Sequence, residues 1–177
     1  MSPFEFYEKN YIIFLGEMKV KKGKKLMFFN FLRGFISFFK KNSKPKLIKD
    51  LENEHRQLLK LYKEIDSKIN NKDFKKALNL LNKFFYKYKK HVLLEDNYLY
   101  VLLIKKYQKY KNIINFINET KQEMDEITKM LEKFLLIYKD EKTIRENFNE
   151  FKHDFGKLGE ALKERIDFEE SKLYVLY

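Results

Sequence analysis

His91 and Glu95 stand four residues apart in the stretch His91-Val-Leu-Leu-Glu95-Asp96-Asn97-Tyr98. On a helix that spacing puts an imidazole and a carboxylate on one face, one turn above the other. The run Phe74, Ala77, Leu81, Phe84, Tyr88, His91, Glu95, Tyr98, Leu102 advances in steps of three and four, as the seam of a core-facing bundle helix does. Two ionisable groups therefore occupy positions that call for leucine. Buried there, they are costly unless paired, hydrogen-bonded or bound to a metal. Imidazole and carboxylate together suit Fe(II) or Zn(II).

The elements that must position these groups follow from the same periodicity. A first helix at about 46–69 turns inward Ile48, Leu51, His55, Leu58, Tyr62, Ile65 and Ile69, and Asn70-Asn71-Lys72-Asp73 supplies a turn and a cap. The helix carrying His91 spans about 73–107 and breaks at 109–112. A third, at about 113–138, faces inward with Ile113, Ile117, Thr120, Met124, Ile127, Leu131, Phe134 and Tyr138. A fourth, at about 142–176, does so with Ile144, Phe148, Phe151, Phe155, Leu158, Leu162, Arg165, Glu169, Leu173 and Leu176. Four seams joined by short loops predict an all-α, antiparallel up-down-up-down four-helix bundle over residues 47–177.

These seams bring together His55, His91, Glu95, Arg165 and Glu169, with Met124 the third helix's contribution. His55 lies about 14 residues from the first turn and His91 about 18, similar heights at ~1.5 Å per residue. The last corner closes less well. Arg165 is about 23 residues past the start of its helix and Met124 about 15 before the turn, so the corner must be offset or partly unwound. His153 is expected at the surface, and Asp96 and Glu170 in solvent. Tyr62, Tyr88, Tyr98 and Tyr138 are expected as core residues with their hydroxyls at a rim or on a partner, the alternative being a hydroxyl donating to Glu95.

Leu51-Glu-Asn-Glu-His55-Arg-Gln-Leu-Leu, His91-Val-Leu-Leu-Glu95-Asp96 and Arg165-Ile-Asp-Phe-Glu169-Glu170-Ser-Lys-Leu-Tyr174 resemble the hemerythrin-like (HHE cation-binding) domain over about residues 47–177. The resemblance implies a bundle core holding two iron ions, with His55 and His91 as ligands of one and Glu95 and Glu169 as bridging carboxylates. It also shows two departures: Met124 stands where the family's third helix carries a ligand histidine, and Arg165 replaces the histidine of the last HxxxE. Both lost ligands serve the same iron. Arg165, always charged and shaped to fork onto carboxylates, is placed to neutralise Glu169 and Glu95. Two readings stay open: one iron ion rather than two, held by His55, His91 and one of Glu95 or Glu169, or no metal and a buried salt-bridge network.

Composition bounds the rest. Among 177 residues there are 5 glycines, 2 prolines and no cysteine, which favours long helices and removes disulfides, thiolate sites and cysteine nucleophiles. A cytoplasmic location is the expectation, without signal peptide or membrane span. The net charge of +12 is concentrated: residues 18–49 hold eleven Lys/Arg and no acid, leaving 27 of the 38 bases against all 26 acids elsewhere. Residues 1–46 read as a basic, aromatic extension in which Met18 and Met27 are alternative starts to Met1. Within it, 27–41 forms an amphipathic helix, with Phe28, Phe29, Phe31, Leu32, Phe35, Ile36, Phe38 and Phe39 opposite a polar stripe. That helix either docks on the bundle or lies in an anionic membrane surface, making the protein membrane-peripheral. Residues 19–46 are thus the expected contact for a lipid surface or a protein partner. Nucleic acid is not expected, for want of a base-stacking pattern on a recognisable fold.

No nucleophile arrangement or glycine-rich phosphate loop marks an enzyme. Through the resemblance, the sequence implies binding of a metal ion, and of O2 or another small ligand at it, for sensing or storage. The alternative is a metal-free interaction module, since Leu158-Gly-Glu-Ala-Leu-Lys-Glu-Arg165-Ile-Asp-Phe-Glu169 is also similar to bacterial anti-sigma proteins of the regulator-of-sigma-D kind.

Overall fold

The computed structural model describes residues 44–177. The expected helix at 27–41 and the start of the basic extension lie outside the described residues. α1 is Lys46–Asn70 and α2 is Phe74–Leu94. α2 runs on through a π-helical stretch, Glu95–Tyr100, into α3, Val101–Tyr107. α4 is Lys111–Ile137, α5 the short Glu141–Glu146 and α6 Phe148–Phe168. α6 passes into a second π-helical stretch, Glu169–Leu173, and a 3-10 turn, Tyr174–Leu176. No strand occurs among the described residues, and none of their helices is long and apolar enough to cross a membrane.

The helices pack pairwise: α1 on α2 and α6, α4 on α2, α3 and α6, and α5 on α2 and α6. The α1–α2 connection is set by local chemistry. Asp73 N–H reaches Lys68 O (2.9 Å) and Lys72 N–H reaches Ile69 O (3.0 Å). Lys72 takes the left-handed conformation, φ 55°, that commonly ends helices. Asp73 then caps α2, its carboxylate accepting from Lys76 N–H at 3.4 Å. At the last corner the expected unwinding is present. Asn147 (φ −120°, ψ 40°) breaks the rod between α5 and α6, so Arg165 lies only 17 residues past the start of α6, against 13 from Met124 to the end of α4. Asp140 begins the corner, accepting from Thr143 N–H (2.8 Å) and Thr143 Oγ1–H (3.0 Å).

The main apolar cluster fills the end of the fold near the 71–73 turn, with Ile65, Ile69, Phe74, Leu81, Phe134, Phe151 and Phe155 among its members, and it stops at the layer of His55, His91 and Glu169. Past that layer a second buried group, including Leu51, Leu99, Leu103, Ile117 and Leu173, closes the far end. The last turn there is fastened by Tyr107 O–H donating to Leu176 O (3.0 Å) and Lys106 Nζ to Leu176 O (3.0 Å) and Tyr177 O (2.6 Å).

The π stretches were not foreseen, and one of them overturns part of the expected seam. Tyr98 and Leu102 are exposed, 56% and 42%, whereas Leu99, Tyr100 and Leu103 are buried. Glu95, Leu99, Leu103 and Tyr107 continue the buried line after His91 in steps of four, with Tyr100 buried beside Leu99. A straight α-helix drifts about 40° at each such step, and the wider π turn takes up that drift.

Candidate metal centre

His55 and His91 come from facing positions on α1 and α2, and Glu95 and Glu169 from the first residues of the two π stretches. All four are buried, Glu95 completely. One ligand atom from each can be chosen so that all four lie within 4.8 Å of one another, a grouping able to hold an ion.

Each imidazole is set by a carboxylate from outside the core. His55 Nδ1 lies 2.9 Å from Glu170 Oε1, and His91 Nδ1 lies 3.0 Å from Glu54 Oε2. A carboxylate only accepts, so each Nδ1 carries a proton and each Nε2 faces inward. The two Nε2 atoms are 3.0 Å apart. Glu169 Oε2 is 3.0 Å from His55 Nε2, and Glu95 Oε2 is 3.9 Å from His91 Nε2. Glu54 is held below the usual carboxylate range chiefly by its bond to His91.

The two core acids are pushed in opposite directions. Burial opposes charge on Glu169, yet the Arg165 guanidinium and then His55 bring it down to about 2. Arg165 Nε donates to Glu169 Oε1 at 2.5 Å and Nη2 to Tyr100 Oη at 3.1 Å, while Nη1 lies 3.7 Å from Glu123 Oε2. Glu95 has no such partner. Burial and then the Glu169 charge raise it well above the ordinary range, against the field of Arg165 and the Tyr174 O–H bond at 2.7 Å. Arg165 therefore makes its direct bond to one of the two acids expected to share it. His55 is raised: burial lowers it, but Glu169 and Glu170 outweigh that.

These residues fit a cation. Glu95 Oε2 is buried without a hydrogen-bond partner, and Glu169 Oε2 has only its ion-pair contact with His55. Burial and the Glu169 charge disfavour a charged Glu95 despite Arg165, and a cation in the layer would offset both. Two imidazole nitrogens and two carboxylate oxygens suit Fe(II) or Zn(II). The cavity lined by His55, His91, Met124, Arg165 and Glu169 measures ≈ 10 Å³, room for about one water-sized occupant.

Met124 is buried where it was expected and accepts from Tyr88 O–H at 3.1 Å through sulfur. His153 is exposed, and Asp96 pairs with Lys121 at 2.8 Å. Glu170, expected in solvent, instead reaches back to His55. Sequence reasoning also passed over Glu54, Tyr100 and Tyr174. The signal for the two acids was adjacency: Glu54 precedes His55 and Glu170 follows Glu169, each serving a histidine on the neighbouring helix. The tyrosines depend on the π turns, which no periodicity announced.

No match was found among curated proteins or among solved structures. The pattern of the hemerythrin HHE cation-binding domain matches residues 46–177, and the chain belongs to that family.

Proposed function

We propose that this chain is a small-ligand or metal sensing or storage protein that holds one metal ion, iron, at His55, His91, Glu95 and Glu169, on an antiparallel up-down-up-down bundle. The observation that carries this reading is the direction of the donor atoms. Two Nε2 atoms and two carboxylate oxygens converge within 4.8 Å, while both Nδ1 positions are committed to Glu54 and Glu170. Bound there, the ion supplies an open coordination position and a one-electron couple. The chain's own residues do the rest: Glu54 and Glu170 fix the imidazole tautomers, Arg165 keeps Glu169 ionised, and the buried surroundings exclude water. Arg165 and Met124 stand at positions where the resemblance puts ligand histidines of the second ion, so binding a diatomic between two irons is not the expected chemistry.

One observation favours a second reading, a metal-free interaction module. The Arg165–Glu169 bond and the Glu169–His55 contact already neutralise one carboxylate without an ion. Elemental analysis of untagged protein beside His91→Ala separates the two. About one equivalent of iron, lost in the variant, is the expected result. Metal in neither protein, even after anaerobic Fe(II) loading, overturns the metal reading.

A further inference from the structure

We infer that Tyr174 is a fifth protein ligand of this centre, a phenol donor absent from the His/Glu pattern that identifies the family; the inference rests on the metal reading above.

Its position comes from the second π stretch. Tyr174 N–H bonds to Glu169 O, five residues back rather than four, so the residue stacks over Glu169 and turns into the core. There the ring lies parallel to the His55 imidazole, with centroids 5.6 Å apart and planes 9° apart. Its oxygen is 2.7 Å from Glu95 Oε1 and 3.2 Å from His55 Nε2. The side chain is buried, 4% exposed.

The atoms around the phenol oxygen are donors of the kind a cation takes. Tyr174 has one proton, and its closer acceptor is Glu95. Once His55 is neutral, as any metal ligand must be, its Nδ1 proton points at Glu170 and its Nε2 lone pair faces the phenol oxygen. His91 Nε2 and Glu169 Oε2 converge on His55 Nε2 from the other sides, each at 3.0 Å. The phenol oxygen is thus within hydrogen-bond distance of two of the four proposed ligand residues, His55 and Glu95. Were a cation held there, the Tyr174 oxygen could join its ligands by giving up the phenol proton, as Glu95 would give up its own, both protons leaving to solvent. Of the other buried phenols nearby, Tyr100 accepts from Arg165 and Tyr88 donates to Met124 Sδ.

The test uses the full chain loaded with ferric iron as its nitrilotriacetate chelate, desalted, and read by iron content and visible absorption. A ferric ion bound to a phenol oxygen gives a visible charge-transfer band, which imidazole and carboxylate ligands alone do not. The expected result is a coloured wild-type protein, and loss of the band in Tyr174→Phe with iron content retained. Tyr174→His, which keeps a ligating ring should the phenylalanine variant fail to fold, is expected to bind iron without the band. Iron bound by wild type with no band, or a band that persists in either variant, overturns the assignment of Tyr174 while leaving the metal site standing. A wild-type chain that takes up no iron overturns both, and the iron measurement alone tells these cases apart.

Discussion

Glu54 and Glu170 lie outside the core, yet each accepts the Nδ1 proton that decides which nitrogen of a histidine faces inward. Partners of this kind typically contribute 10–100-fold to metal affinity. Glu54→Gln and Glu170→Gln are therefore each expected to weaken iron binding by about one to two orders of magnitude in a chelator competition, with the helical circular dichroism unchanged. Residue types at helical spacing disclosed His55, His91, Glu95, Arg165 and Glu169, because an ionisable group on an apolar seam is conspicuous by its cost. Glu54 and Glu170 were not legible in that way. Flanking acids look like solvated ones until the neighbouring helix is in place.

The helices themselves carry two glycines whose surroundings differ. At Gly159 an added Cβ would land on the ring of Tyr62, whereas at Gly156 it would meet nothing within 4 Å. Tyr62 stacks on Phe155, with ring centroids 4.4 Å apart, and donates to Phe155 O at 3.1 Å. Gly156→Ala is expected to stabilise the fold by up to about 1 kcal/mol through helix propensity. Gly159→Ala is expected to destabilise by about 1–3 kcal/mol, the cost typical of overpacking. Urea titrations of both variants check the opposite signs. Element order and most boundaries followed from the seams, as at Asn70–Asp73 and around residue 109. The π stretches did not, since steps of four after His91 fit either helix until burial shows Leu99 inside and Tyr98 outside. The break at Asn147 was legible only indirectly, as a mismatch of heights that something in the corner had to absorb.

For the whole molecule, the buried charges set a pH dependence. The unperturbed carboxyl at 4.5 and the folded Glu169 at about 2 bound the window. A depressed folded value contributes stability that is complete above 4.5 and is lost as pH falls towards 2. Glu95, shifted the other way, already holds its proton through that window and adds no loss of its own. The metal-free chain is thus expected to lose thermal stability between those two pH values. Glu169→Gln, less stable throughout because buried Arg165 loses its direct bond to a carboxylate, should show a flatter profile in a pH series of melting curves. A Glu169→Gln profile as steep as wild type would assign the acid sensitivity to other groups.

The polar layer divides the apolar interior in two, and the smaller compartment ends in a single 3-10 turn fastened by Lys106 and Tyr107. An occupant of the layer leaves only when some part of the fold opens, and the least costly part is the one with the fewest fastenings. Under the metal reading, how long the centre would hold an ion is expected to follow how often the latch at Leu176 lifts, so variants of equal affinity could differ in residence time.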